Sequence, residues 1–142
     1  MTDMTETFET MSRALMETCL KDLSVYKLAV KTVQSPAIRK LVESIIAQKT
    51  DQLADLKIII ENCEHANLND RTAEASHVES WSDPESLLKA VTIRENDFAE
   101  ATRALAAHTG LEEYRNSLCA CAERSRKFAS WSQDHLDLLG LF

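Results

Sequence analysis

Histidine, glutamate and cysteine at helical spacing are where chemistry would first be sought in this chain of 142 residues. Glu74-Ala-Ser-His77 is its Glu-x-x-His, a spacing that puts a carboxylate and an imidazole on one face of a helix, where both can ligate one metal ion. Here the motif falls in a stretch without helical periodicity, and a metal site needs several convergent ligands, so the pair is not expected to bind metal. Glu61 and His65 are four apart near the expected end of a helix, where an imidazole interacts with the terminal carbonyls. His108 invites the same account. Cys119 and Cys121 are separated by one residue, which on a helix turns their thiols about 200° apart and prevents joint ligation. With Cys19 and Cys63 they read as small buried hydrophobes of a reduced compartment.

The elements that carry these residues are long helices. Two Gly and two Pro leave too little turn punctuation for a sheet protein, and 44% hydrophobic residues suffice for one core. Asp3 and Glu6 form a capping-box pattern, after which Phe8, Met11, Leu15, Cys19, Leu23, Tyr26, Val30 and Val33 recur at steps of three and four. Ser35-Pro36 opens a second helix with Ile38, Leu41, Val42, Ile45, Leu53, Leu56 and Ile59. Asp83-Pro84 opens a third, carrying Leu87, Leu88, Val91, Phe98 and Leu105, with Gly110 as its stop. A fourth shows Tyr114, Leu118, Cys121, Ser125, Phe128, Ser132 and His135 on one face and ends before Gly140. The expectation is one domain, 1–142, with helices at about 4–33, 36–65, 84–108 and 111–139 and a link over 66–83.

The first junction is short enough to force an antiparallel hairpin. Helix 2 would be about 45 Å long, and an extended link of the observed length reaches about 56 Å. Bundle connections are normally a few residues, so the long link favours a crossover that makes helices 2 and 3 parallel over the alternative, a plain up-and-down bundle with a loose loop. The fold class expected is all-α: a ferritin-like four-helix bundle of two antiparallel helical hairpins joined by a long crossover link.

The stretch Leu23 to Leu56, with Tyr26-Lys27-Leu28-Ala29, Ser35-Pro36, Leu41-Val42-Glu43 and Ile46-Ala47, resembles the first hairpin of rubrerythrin-like members of the ferritin-like superfamily. Val91 to Ala106, with Glu95, and Gln133-Asp134-His135-Leu136-Asp137-Leu138-Leu139 resemble its third helix and the tail of its fourth. The resemblance implies a di-iron centre built from one Glu on each of two helices and Glu-x-x-His on each of the others. At the corresponding stations, helix 2 carries Gln48-Lys49-Thr50-Asp51-Gln52-Leu53, without histidine, helix 1 carries Thr18, Cys19 and Asp22, and Ser132 stands three before His135. Only Glu95 and His135 match, and two ligands do not make a di-iron site. The reading is therefore a non-catalytic bundle that binds a partner or small ligand, with no cofactor expected. The alternative is a metal-binding or redox protein, using iron or zinc, with a non-standard site around Glu95 and His135 assisted by Asp22 or Asp51.

Inward polar residues at mid-bundle, Gln48 or Gln52, Glu95, Ser125, Ser132 and His135, must pair with one another or with water. Tyr26, Glu95 and His135 would line a pocket if one exists. Helix 2 is apolar on more than one stripe, and Val42, Ile46, Ile58 and Ile60 form a candidate homodimer face. The crossover link, through Val78 and Trp81, would compete for that strip. Sixteen Lys and Arg against 23 Asp and Glu give a net charge of −7, the wrong sign for nucleic acid, and Arg124, Arg126 and Lys127 read as a solvated helix face. No membrane segment or secretory leader is apparent, so a cytoplasmic protein is expected.

Overall fold

The computed structural model describes residues 4–61 and 83–140. They form four helices, with no strand among the described residues: α1 (Met4–Thr32), α2 (Pro36–Glu61), α3 (Pro84–Ala107) and α4 (Glu112–Gly140). Ser35 caps α2 by accepting the Ile38 amide at 3.4 Å, while the Arg39 guanidinium donates to the Val33 carbonyl at 2.6 Å and fastens the turn back to α1. Asp83 precedes α3 in an extended conformation with Pro84 in the first turn; its carboxylate accepts the Ser86 hydroxyl at 2.9 Å and makes no side-chain cap to a backbone amide.

The stop of α3 is not the expected glycine. The helix ends at Ala107, and Gly110 has no left-handed backbone. Thr109 turns the chain instead: its hydroxyl accepts the Leu111 amide at 3.2 Å and its carbonyl accepts the Arg115 guanidinium at 3.1 Å. Gly140 is likewise the last residue of α4 and not a residue beyond it.

Two adjoining core clusters give the helix directions. One joins Leu15, Cys19 and Leu23 of α1 with Leu53, Leu56 and Ile59 of α2, Phe98 and Leu105 of α3, and Leu118 and Cys121 of α4. The other joins Tyr26, Ala29 and Val33 with Ile38, Val42 and Ile45, then Leu87, Leu88 and Val91, and Phe128. The late half of α1 thus meets the early halves of α2 and α3, so α1 is antiparallel to both, while α2 and α3 run parallel. Helix α1 packs on α2 and α3, and α4 packs on α3 and α2, which leaves α2 and α3 across a diagonal of the bundle. This is the hairpin arrangement expected from the lengths of the junctions. The link over 66–82 lies outside the described residues, as do Asp3, Cys63, His65, Glu74, His77, Val78 and Trp81.

Candidate functional site: a buried ionic core

Each helix brings one polar turn to the level between the two apolar clusters. On α2 the buried stripe runs Val42, Ile45, Lys49, Gln52, Leu53 and Leu56, so Lys49 takes a core position at helical spacing from Ile45 and Leu53. Helix α1 supplies Cys19, Asp22 and Tyr26, α3 supplies Glu95 between Val91 and Phe98, and α4 supplies Ser125 between Cys121 and Phe128. All of these side chains are buried.

The Lys49 ammonium lies 3.2 Å from Oε1 and 3.1 Å from Oε2 of Glu95, and both side chains are 0% exposed. Its other side faces the Phe98 ring, 3.6 Å from the centroid, within the range of a cation–π contact. Tyr26 donates its phenol proton to Glu95 Oε2 at 2.7 Å. On the neighbouring α1–α3 wall, Arg94 donates to Asp22 Oδ1 at 2.8 Å, with Asp22 buried and the guanidinium reaching partly to solvent. Two cations therefore balance two carboxylates, the condition under which buried charge is tolerated. The Cys19 thiol donates to the Lys49 carbonyl at 3.8 Å. Gln52 donates from Nε2 to the Cys121 carbonyl at 3.0 Å and to Ser125 Oγ at 3.2 Å, tying α2 to α4. Asp22 Oδ2, Gln52 Oε1 and Ser132 Oγ are buried with no hydrogen-bond partner.

Burial controls the protonation states. It raises the Asp22 carboxyl above its ordinary 3.8, against the lowering effect of the Lys49 charge and the Arg94 hydrogen bond. Burial, reinforced by the nearby Glu95 charge, holds the Tyr26 phenol well above 10.0. The same desolvation pushes Cys19 up to about 11 and Cys121 up to about 12, so neither thiol supplies a thiolate near neutral pH. A lysine whose ammonium is fully enclosed and engaged by a carboxylate cannot serve as a solvent-accessible nucleophile. Among the described residues, no group of three or more His, Cys, Asp or Glu side chains is placed to hold a metal ion.

Tyr26, Gln52 and Glu95, three of the expected polar residues, do enter this interior, and Ser125 enters with them. Ser132 is buried on the same face of α4, but nothing bonds its hydroxyl. Two expectations are corrected. Gln48 points out of the core and donates to Ser44 Oγ at 3.3 Å on the exposed side of α2, because one residue of offset from Lys49 rotates it by about 100°. His135 is only partly buried, its Nδ1 lies 2.9 Å from the Trp131 carbonyl of its own helix, and it is about 15 Å farther along α4 than Ser125. It does not join Glu95, whose oxygens are taken by Lys49 and Tyr26. Asp51 is exposed and contributes nothing to the site.

The candidate dimer face is corrected as well. Val42 is 0% exposed within its own chain, packed with Ile38 and Ile45, and Ile46 is partly buried against both core clusters. Ile58 is open, at 56% exposure, and the Ile60 side chain lies outside the described residues. Lys49 and Arg94 are the members of the site that sequence reasoning missed; the available signal was the station left empty between Ile45 and Leu53 on the α2 stripe. A separate groove of about 280 Å³ between α3 and α4, lined by Thr92, Asn96, Arg126, Gln133 and Asp134 among others, includes none of the expected site residues.

Comparison with family models, with curated proteins and with solved structures gives no match. No helix among the described residues is long and apolar enough to cross a membrane.

Proposed function

We propose that this chain is a ferritin-like bundle in which an internal ion pair has taken the place of the di-iron centre, and that it acts without catalysis, as a cytoplasmic homodimer that binds a partner or small ligand. The observation that carries the reading is the Lys49–Glu95 pair, with both side chains 0% exposed. A di-iron centre needs a carboxylate from each of two helices and Glu-x-x-His from each of the other two. The residues facing inward here do not fit it: α1 offers Cys19 and Asp22, α2 offers Lys49 and Gln52, and α4 offers Ser125 and Ser132, leaving Glu95 as the glutamate at that level. The place where a metal would neutralise carboxylates is taken by a protein cation. With buried thiols held protonated, the work of the protein is assigned to its outer faces, where Ile58 of α2 offers the apolar anchor of a dimer contact.

Two measurements test this. Elemental analysis of protein purified without added metal, and again after incubation with ferrous iron or zinc, should find less than stoichiometric metal, and ferrous iron should consume oxygen no faster than in buffer. Stoichiometric iron or zinc that disappears in Glu95→Ala would overturn the reading in favour of a metalloprotein. Light scattering should find a dimer that Ile58→Glu weakens at equal helical content; a monomer at all concentrations would remove the dimer from the account.

A further inference from the structure

We propose that the groove between α3 and α4 is a two-ended site for a short peptide with free termini, about three residues long, its carboxylate on Arg126 and its ammonium on Asp134. Resting on the function proposed above, this site gives the small ligand a place and a chemical class, and no residue of the ionic core takes part in it. The groove holds about 280 Å³, just under the range of pockets for drug-sized ligands, so its occupant is small. Helices α3 and α4 are antiparallel, since Leu105 shares one core cluster with Leu118, and Leu87 and Leu88 share the other with Phe128. Asn96 therefore lies toward the Arg126 end of the groove and Thr92 toward the Asp134 end. Among the described residues, Asn96, Arg126, Ser130 and Asp134 make no hydrogen bond or ion pair, so all four are open to a ligand.

The two ends differ in what they offer. At one, the Arg126 guanidinium presents a fork of N–H donors that fits a carboxylate, and the Asn96 amide on the facing helix adds a further donor. At the other, acceptors gather: the Asp134 carboxylate, Oε1 of Gln133, whose amide nitrogen donates to Asp137 at 2.9 Å, and Oγ1 of Thr92, whose proton goes to the Leu88 carbonyl at 2.8 Å. Such a set of acceptors, one of them a carboxylate, matches the N–H donors of an ammonium. Arg126 and Asp134 stand eight residues apart, about 12 Å of helix rise, too far for the neighbouring charges of a single α-amino acid to reach both. Three extended residues span about 10 Å, which sets the termini of a tripeptide against both charges. Ser130, between them on α4, and Asn96 then pair with the internal amides of the peptide.

The test is an NMR titration of the full chain with trialanine. Saturable shifts should appear in the side-chain amides of Asn96 and Gln133. Arg126→Gln and Asp134→Asn, both at exposed positions, should leave helical content unchanged and should each weaken binding about tenfold, the loss of one charge-assisted hydrogen bond. The peptide supplies the matching deletions. N-acetylation should weaken binding to the wild type by a similar factor and cost nothing further in Asp134→Asn, and C-terminal amidation should stand in the same relation to Arg126→Gln. No saturable shift, shifts remote from the groove, dependence on only one of the two charges, or equal binding of the peptide blocked at both ends would overturn the proposal. Such a failure leaves the proposed function to its own metal and light-scattering measurements; Glu95-dependent metal in the wild type defeats that function itself, and leaves the peptide titration as the measure of the groove.

Discussion

Lys49 and Glu95 meet at 3.1 Å although they belong to α2 and α3, the helices that face each other across the diagonal of the bundle. Neighbouring helices share walls of apolar side chains, but a diagonal pair can be joined only by long side chains that cross the core. Lysine and glutamate do so here, and Tyr26 brings α1 to the same carboxylate. Three helices thereby depend on one buried charge.

Tyr26 donates to a carboxylate that already has its cation, so Tyr26→Phe should cost about 1.5–3 kcal/mol in denaturant unfolding, the range for a hydrogen bond to a charged group. The alkaline limb supplies a second readout. The folded state keeps the phenol proton well above 10.0, so it binds more protons than the unfolded chain once pH exceeds that value, and stability falls as pH rises. Tyr26→Phe should show a shallower alkaline loss, and tyrosinate absorbance from Tyr26 should appear only together with loss of helical signal. Ionisation of Tyr26 in the folded protein near pH 10 would contradict the buried hydrogen bond.

Asp22 follows the same sign for a different group. Its pKa is raised on folding, mainly by burial, so the folded state holds the extra proton and the Asp22 contribution to stability declines as pH rises from 3.8 through the folded value. Asp22→Asn retains an acceptor for Arg94 and removes the titration. Stability measured across the acid range should therefore decline less with rising pH in that window for Asp22→Asn than for the wild type; identical pH profiles would show that Asp22 is not desolvated as described.

The layout of this bundle was legible because its signals are local. Apolar residues repeat at helical spacing, Ser35-Pro36 and Asp83-Pro84 mark two helix starts, and one short and one long junction order the hairpins. The interior was harder to read because its partners are distant. Lys49 interrupts the α2 stripe like a surface residue, and only Glu95, 46 residues away, makes its burial tolerable. Gln48 and Gln52 are equally plausible inward residues by type, and a rotation of one residue decides between them. His135 continues the three- and four-residue period of α4 and matches the tail motif, yet the buried face runs through Ser125, Phe128 and Ser132 and leaves it at the margin. Val42 reads as part of a surplus apolar face because its burial against Leu87, Leu88 and Val91, far along the chain, is invisible to a local pattern.

The cysteines offer a check on burial that needs no mutation of the ionic core. Cys119 is exposed, whereas burial holds Cys19 and Cys121 protonated. In a Cys63→Ser background, a water-soluble thiol reagent at pH 8 should modify one thiol per chain rapidly and the other two only at the rate of unfolding. Rapid modification of all three would show that the core around Lys49 opens to solvent in the folded state.

The most direct measurement is a double-mutant cycle on Lys49 and Glu95 by denaturant unfolding, using Lys49→Met and Glu95→Gln. Each single change leaves one charge uncompensated in the interior and should cost about 3–5 kcal/mol, while the double variant, with neither charge, should cost far less than the sum. Additive losses, or single changes costing under about 1 kcal/mol as at an exposed ion pair, would contradict the account that this bundle is built around a buried ammonium and carboxylate.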